Sequence, residues 1–230
     1  MDPIERLKRD AARRALELVE PGMLVGLGSG STAHHFIAGL GARLAAGALA
    51  GVRAVASSRE SESQALELGI PLIDLPAGGI DLAVDGMDEV SPTLDAIKGL
   101  GGALTREKIV AAAARRFVLV GDGRKRVDRL GQRAPVPVEI IAFGWRHTRE
   151  RLRALGADPR LRGGEADPYT TDNGNLILDL AMPGPFDPRT LADALCGVPG
   201  VVEHGLFLGM AERAFVAEAG GVAELSRTPA

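Results

Sequence analysis

The amino-acid sequence predicts an α/β protein with a mostly parallel sheet and helices on both of its faces. Short apolar segments at residues 23–27, 52–56 and 80–84 alternate with stretches of helical periodicity. This alternation is typical of parallel sheets, because each helix carries the chain back across the sheet. Apolar residues make up 46% of the 230 residues and charged residues 25%, which is typical of a chain that builds a buried core.

The first half of the chain supplies most of this sheet. Apolar residues recur at steps of three and four from Ile4 to Leu18, which predicts the first helix, and Pro21 and Gly22 end it. The pattern then predicts a strand at 23–27, a helix at 33–46, a strand at 52–56, a helix at 60–68, strands at 70–75 and 80–84, a helix at 105–116 and a strand at 117–120. These elements predict a Rossmann-like sheet.

The pattern changes after about residue 130 and predicts a smaller ferredoxin-like α+β domain. Its β-α-β-β-α-β order consists of strands at 136–141, 159–162, 175–180 and 201–208, with helices at 143–155 and 187–196. A strand at 213–217 and the remaining tail are expected to return to the first domain. The predicted division is therefore 1–130 with 207–230, and 131–206.

Charge and cysteine content narrow the class of protein. The net charge of −3 disfavours a nucleic-acid partner, because phosphate attraction requires a basic surface. The single cysteine, Cys196, excludes an internal disulfide and fits a reducing compartment, and its apolar neighbours predict a buried filler. The charged start has no signal-peptide pattern, and the uncharged segment 21–42 is too rich in glycine for a membrane span. We expect a cytoplasmic protein.

A glycine-rich segment at residues 26–32 joins a predicted strand to a predicted helix. Bare backbone N–H groups and two hydroxyls at a helix start suit a phosphate group. Ser31 stands where the dinucleotide fingerprint needs its last glycine, and the nucleotide P-loop's Lys-Ser/Thr pair is missing from this segment. The segment indicates either an anion site or a turn capped by Ser31 or Thr32.

Two aspartates follow the strand predicted at 80–84. Asp85 and Asp88 flank Gly86 at the carboxyl end of that strand, where open α/β sheets bind ligands. Two close carboxylates perturb each other's proton affinity, which is useful in acid–base chemistry. The alternative interpretation is an Asp-Gly surface turn.

A lysine and three glycines precede the helix predicted at 105–116. Gly99, Gly101 and Gly102 follow Lys98 and allow the backbone to approach a ligand closely. Glu107 falls in the first turn of that helix. An acidic residue there also stabilises the helix dipole, by roughly 0.3–1 kcal/mol, so its role in chemistry stays open at this point.

These three loops together resemble the motifs of type A ribose-5-phosphate isomerases. In that family's order, residues 28–32 match the phosphosugar loop, 85–88 the paired-aspartate loop, 98–101 the lysine-glycine loop and 103–108 the segment with the general base. Residues 171–175 and 199–202 match later segments, so that the resemblance spans nearly the whole chain. Leu100 and Ser29 depart from it, since the family often has glycine and threonine there.

The resemblance implies an aldose–ketose isomerase of the non-oxidative pentose phosphate pathway. It would interconvert D-ribose 5-phosphate and D-ribulose 5-phosphate through an enediol or enediolate. No redox step occurs, so that no cofactor is expected, and four histidines with one cysteine give no obvious metal site. The expected partner is a sugar phosphate, with no nucleic acid or membrane, in a homodimer or homotetramer.

The resemblance also implies roles for individual residues. Glu107 would be the base, Lys98 would hold charge near the enediolate oxygens, and Asp85 and Asp88 would handle hydroxyl protons and ring opening. Residues expected to contact the substrate are Ser29, Gly30, Ser31, Thr32, Gly86, Met87, Gly99, Leu100, Gly101, Lys125 and Lys8. Ser29 to Thr32 would hold the phosphate, with Lys125 and Lys8 adding positive charge. Without the resemblance, both phosphate lysines would be interpreted as solvated surface residues.

Two other classes of protein share some of these features. A phosphosugar-binding sensor domain would keep the fold without the reaction, but no segment resembles a DNA-reading helix-turn-helix. A sensor would also not require Glu107 together with Asp85 and Asp88. A nicotinamide-dependent dehydrogenase is disfavoured by Ser31 in the fingerprint.

Overall fold

A computed structural model describes residues 2–227 of the chain. The helices are α1 (Pro3–Leu16), α2 (Gly30–Ala45), α3 (Arg59–Glu67), α4 (Leu104–Ala113), α5 (Trp145–Arg153) and α6 (Pro188–Cys196). The strands are β1 (Leu24–Leu27), β2 (Arg53–Ala56), β3 (Ile80–Gly86), β4 (Glu89–Val90), β5 (Ala96–Ile97), β6 (Ala114–Asp122), β7 (Val136–Ile140), β8 (Asp158–Leu161), β9 (Leu176–Ala181), β10 (Val201–His204), β11 (Leu206–Phe207), β12 (Arg213–Glu218) and β13 (Gly221–Ser226).

The main sheet has six strands in the order β13-β12-β6-β3-β1-β2. All neighbours in it pair in parallel except β12 and β13, which are antiparallel. Side chains alternate between the two faces of β6: Val118 and Val120 pack with helices α1 and α2, whereas Phe117 and Leu119 pack with α4. The predicted α/β fold, with a mostly parallel sheet covered on both faces, is confirmed.

The parallel pairing places three loops at one edge of this sheet. Strands β1, β3 and β6 are neighbours that run in the same direction, so that their carboxyl ends lie side by side. The segments that follow them are the glycine loop, the paired aspartates and a short 3₁₀ helix, Gly123–Lys125. Open α/β sheets bind ligands at this edge.

The second sheet has four antiparallel strands in the order β10-β7-β9-β8. Its chain order, β7-α5-β8-β9-α6-β10, is the predicted β-α-β-β-α-β unit. Strands and helices of this unit share a hydrophobic cluster that includes Val138, Leu152, Leu178 and Leu195 and that also takes in Ile97, Val127 and Leu130. We propose from this cluster that residues 131–206 form a separate domain, as the sequence predicts.

Several predicted elements differ from the structure. Residues 70–75 were predicted as a strand but form a single bridge, between Leu72 and Ala54. The reason is that Pro71, within the segment, and Pro76, directly after it, have no N–H to donate. Strands β4, β5 and β11 form a three-stranded sheet that the sequence pattern did not predict. Strand β13 was not predicted either. Cys196 is exposed rather than a buried filler, because it lies at the end of α6.

The strand predicted at 201–208 is divided at Gly205. Strand β10 belongs to the four-stranded sheet, whereas β11 pairs with β5 in the small sheet. The Gly205 N–H donates to the Pro137 carbonyl over 2.7 Å, and the Gly205 carbonyl accepts from the Lys98 N–H over 2.9 Å. Gly205 therefore joins the antiparallel unit to the loop that carries Lys98. Among the described residues, no helix is long and apolar enough to cross a membrane.

The contacts of Gly205 generate a stability prediction. A β-carbon there would lie 2.2 Å from the Lys98 carbonyl oxygen and 2.7 Å from Pro137 Cδ. We expect Gly205→Ala to lower the free energy of unfolding by about 1–3 kcal/mol, because the added methyl group overpacks a rigid junction. Urea denaturation measures this. The control is Gly184→Ala, where a β-carbon meets nothing within 4 Å. Equal stability of the two variants would contradict the prediction.

Candidate active site

The glycine loop after β1 is shaped by a carboxylate beneath it. The Ser29 N–H donates to Asp85 Oδ1 over 2.9 Å, and a β-carbon on Gly28 would lie 2.2 Å from that oxygen. Helix α2 begins at Gly30, three residues before the predicted start. Ser29 is its N-cap, but the Ser29 hydroxyl pairs with the Ser57 hydroxyl at 2.9 Å instead of capping the helix within the described chain. The first turn of α2 therefore presents uncapped N–H groups, as an anion site requires.

Lys98 lies between two carboxylates at the bottom of the site. Its ammonium nitrogen Nζ is 3.0 Å from Asp85 Oδ2 and 3.2 Å from Glu107 Oε2, and it donates to the Gly86 carbonyl over 2.7 Å. The exposed fractions of the Lys98 and Glu107 side chains are only 2% and 4%. The carboxyl end of β3, the loop that follows β5 and the first turn of α4 thus meet at one buried ion cluster.

The two carboxylates of this cluster are bound differently. Asp85 accepts hydrogen bonds from the Ser29 and Gly86 backbone N–H groups, and it pairs with Lys98. Glu107 Oε2 lies close to Nζ but out of hydrogen-bond alignment, and it has no hydrogen-bond partner in the part of the chain that the structure describes. One oxygen of Glu107 is therefore an unpartnered acceptor in the wall of the site.

Burial and charge set the proton affinity of each group. Burial and, to a smaller extent, the Asp85 charge raise the pKa of Glu107, the Lys98 ammonium lowers it, and the net result is a pKa of about 8. Burial also raises the pKa of Asp85, but its two backbone donors favour the charged form. Burial lowers the pKa of Lys98, but the two carboxylates outweigh this effect and raise it overall. Near neutral pH, the Glu107 carboxyl group therefore holds a proton.

Asp88 lies nearer to the open side of the site. Its Oδ2 atom accepts a hydrogen bond from the Leu100 N–H over 2.9 Å, and its Oδ1 atom lies 4.0 Å from Lys125 Nζ. The turn that carries Lys125 is held by Asp122, which accepts hydrogen bonds from the Arg124 backbone and guanidinium. A carboxylate and an ammonium group thus flank the cleft at the surface.

Most of the predicted site residues line one cleft. The lining residues are Ser29, Gly30, Ser31, Thr32, Gly86, Met87, Asp88, Lys98, Gly99, Gly101, Glu107 and Lys125. Asp85 lies behind this lining, and the Leu100 side chain is exposed outside it. Lys8 does not line the cleft either; its ammonium group binds Glu5 over 2.6 Å, and Glu5 in turn binds His35 on α2.

Three supporting side chains were not predicted from the sequence. Ser57 directly follows β2 and pairs with Ser29, and its position at the carboxyl end of a strand was a signal that could have found it. Arg162 and Tyr169 come from the antiparallel unit and donate to carbonyls of the Lys98 loop. No local pattern marks these two residues, because they are more than 60 positions away from their partners.

The arrangement can bind a polar ligand that is anionic at one end. The uncapped start of α2 and Lys125 supply positive potential for an anion. The cluster of Lys98 and Glu107 supplies, in the same cleft, a buried cation and a carboxyl group whose pKa is about 8. A buried titratable group with a perturbed pKa in a cleft is typical of acid–base catalysis.

Comparison with known proteins agrees with this chemistry. The family model for ribose 5-phosphate isomerase A (phosphoriboisomerase A) matches residues 53–221. Ribose-5-phosphate isomerase A of Deinococcus radiodurans is 51% identical over 224 residues, which cover 97% of this chain and 99% of the relative. The enzyme of the same name from Roseiflexus castenholzii is 53% identical over 220 residues, which cover 95% of this chain and 94% of the relative.

A solved structure is similar over the whole fold. It is a D-ribose-5-phosphate isomerase in complex with phospho-erythronic acid, with a TM-score of 0.94 and 41% identity. The alignment covers 97% of this chain and 99% of the solved one. Since the family model matches residues 53–221 and the two relatives are 51% and 53% identical over nearly the whole chain, the chain belongs to the ribose 5-phosphate isomerase A family.

Proposed function

We propose that this protein interconverts D-ribose 5-phosphate and D-ribulose 5-phosphate. The observation that carries the proposal is the unpartnered Glu107 oxygen beside the Lys98 ammonium, in the same cleft as the uncapped start of α2. The isomerisation needs a base, a cation near the reacting oxygens and a remote phosphate site. The relative bound to phospho-erythronic acid supports a ligand with a phosphate at one end and acidic oxygens at the other.

In this proposal the substrate phosphate binds at the start of α2. There Gly30, Ser31 and Thr32 of the first turn of α2 line the cleft, and Lys125, which also lines it, adds a positive charge. A phosphate held at a helix N-terminus keeps the reacting carbons oriented, which lowers the entropic part of the barrier. Lys8 stays a prediction, because its ammonium group is bound to Glu5.

Glu107 is the proposed proton carrier between the two carbons. Its carboxylate takes the proton from C2 of the open aldose; the C–H electron pair forms the C1–C2 double bond, and negative charge moves to the C1 oxygen. A proton then moves from the C2 hydroxyl to the C1 oxygen, and Glu107 returns its own proton to C1, which gives the ketose and restores the carboxylate. Lys98 stabilises the enediolate oxygens because its charge is already in place and shielded from water.

The two aspartates differ in what their contacts allow. Asp88 lines the cleft and is the better placed of the two to move hydroxyl protons and to open the sugar ring. Asp85 lies behind the lining, and its oxygens are occupied by two backbone N–H groups and by Lys98. These contacts support a role for Asp85 in holding Lys98 and the glycine loop.

Catalysis explains the site better than binding alone. A sensor domain gains nothing from a buried glutamate whose charged form is disfavoured, because burying an ionisable group costs free energy. A general base gains from it, because a pKa near the working pH balances base strength against the fraction of the ionised form. The raised pKa of Glu107 therefore favours the isomerase over the sensor.

We also propose a homodimer or homotetramer in the cytoplasm. The oligomer is supported by an apolar surface on the antiparallel unit, where Phe143 is 91% exposed and Ile141 and Val202 are half exposed. Sedimentation of the purified protein measures the state.

The first prediction concerns the proton carrier. Purified protein given ribose 5-phosphate, without added metal or nucleotide, is expected to form ribulose 5-phosphate. We expect Glu107→Gln to lower kcat by about 10²–10⁴-fold, because the amide cannot accept the carbon-bound proton. Thermal denaturation is expected to show a folded variant, since the amide replaces a carboxyl group that burial already keeps neutral. The control is Glu67→Gln on the exposed end of α3. A folded Glu107→Gln variant with near-normal turnover would contradict the role of Glu107.

The second prediction concerns pH. Burial raises the pKa of Glu107 to about 8, so the active carboxylate is a minor form at pH 7 and becomes the major form above pH 8. We expect kcat/KM to rise roughly tenfold per pH unit below that value and to level off above it. Initial rates between about pH 7 and 9.5 test this, because the second ionisation of a phosphate ester, near pH 6, is then largely complete. A flat profile over this range contradicts the prediction.

The third prediction concerns phosphate binding. We expect Lys125→Met to raise KM more than it lowers kcat, because it removes charge from the phosphate end and leaves the carbon chemistry intact. Steady-state kinetics measure the two constants. Arg126→Met is the matched control, since Arg126 pairs with Glu218 away from the cleft. A larger effect on kcat than on KM would place Lys125 at the reacting carbons instead.

A further inference from the structure

The peptide unit between Gly99 and Leu100 is held by charged groups at both ends. On one side, Arg162 Nη1 donates to the Gly99 carbonyl over 3.0 Å, and it donates to the Leu100 carbonyl at the same distance. On the other side, the Leu100 N–H donates to Asp88 Oδ2 over 2.9 Å. A cation and an anion thus bind the two poles of one peptide dipole.

The geometry of the peptide bond couples these two contacts. The bond is planar and trans, so its C=O and N–H groups point in opposite directions. A guanidinium that fixes the Gly99 oxygen therefore also fixes the direction of the Leu100 N–H, which points to Asp88. Gly99 has a φ of 102°, a region that residues with side chains rarely adopt. Glycine adopts positive and negative φ about equally, so the conformational preference of Gly99 does not fix this orientation by itself.

Arg162 is itself anchored firmly in the antiparallel unit. It follows β8, and its guanidinium forms a two-point ion pair with Asp179 of β9, with Nε 2.9 Å from Oδ2. Its backbone N–H donates to the Ile177 carbonyl over 3.0 Å. Tyr169 stacks 5.7 Å from the guanidinium, and its hydroxyl donates to the Gly101 carbonyl over 3.4 Å. An arginine fork with two-point pairing is fixed in direction in a way that a lysine is not.

Arg162 has no contact with the cleft of its own. It is absent from the lining residues, and its side chain is largely covered. Among the described residues, it reaches the site through the Gly99 and Leu100 carbonyls, to which it donates, and through Tyr169, whose hydroxyl donates to the Gly101 carbonyl. Asp88, in contrast, lines the cleft, and its carboxylate accepts a hydrogen bond from the Leu100 backbone N–H.

We propose that Arg162, braced by Asp179, is a positioning residue for the reaction: it orients the Gly99–Leu100 peptide so that its N–H holds the Asp88 carboxylate in place. The antiparallel unit then serves catalysis directly, as the part that fixes the open side of the active site. This inference rests on the proposed function, because Asp88 is its target.

The main experiment compares Arg162→Met with Arg162→Lys and with Arg160→Met. Arg160 lies two residues earlier, is exposed and pairs only with Asp158 among the described residues, so its variant is a matched surface control. We expect a loss of at least tenfold in kcat for Arg162→Met, little recovery with lysine, and no change for the control. Since the phosphate end is untouched, KM is expected to change less than kcat. Asp179→Asn keeps the arginine but weakens its brace, and is expected to give an intermediate loss if Arg162→Met fails to fold.

A double-mutant cycle separates positioning from general loosening of the structure. If Arg162 acts through Asp88, the loss in Asp88→Asn with Arg162→Met is close to that of Asp88→Asn alone. Losses that multiply, or a kcat for folded Arg162→Met equal to that of Arg160→Met, overturn the inference. These outcomes are distinct from failure of the proposed function, in which Glu107→Gln or the unaltered protein would give the unexpected result.

Discussion

The structure depends on one buried ammonium group, that of Lys98, held between the carboxyl groups of Asp85 and Glu107. Burying any one of these charges alone would cost several kcal/mol, and only their mutual contact makes the burial tolerable. One cation between two carboxylates leaves an excess negative charge if all three ionise. Glu107, which lacks the backbone donors of Asp85, therefore keeps a proton up to a pKa of about 8. The property that makes it a useful base follows from this arrangement.

Much of the surrounding fold serves to close off this cluster from water. Gly28 and Gly205 have no side chains because Asp85 and the Lys98 carbonyl occupy the space that a β-carbon would need. The parallel strands β1 and β3 deliver the glycine loop and Asp85 to one edge, and the small sheet of β4, β5 and β11 delivers Lys98. The antiparallel unit contributes from outside, where Arg162 holds the Lys98 loop. All three sheets therefore contribute to one set of contacts.

The sequence was sufficient to predict the features that depend on local pattern. Alternating strands and helices predicted the parallel sheet, and the position of Asp85 and Asp88 after a strand predicted a site edge. Features that depend on residues far apart in the chain could not be predicted from the sequence. The two-residue strands β4, β5 and β11 carry no periodicity, and Pro71 prevents the apolar segment at 70–75 from pairing as a strand. A distant residue also decides whether the start of α2 is capped or left open for an anion, because the Ser57 hydroxyl pairs with the Ser29 hydroxyl.

The most direct test of the central claim is the titration of Glu107 itself. Protein labelled with ¹³C at its glutamate carboxyl groups can be followed by NMR from about pH 4 to 10, with the Glu107 signal assigned by its absence from Glu107→Gln. The buried cluster predicts a midpoint near pH 8. A midpoint near the ordinary glutamate value of 4.5 would show that burial does not hold a proton on Glu107, and would contradict the account of how the base is prepared.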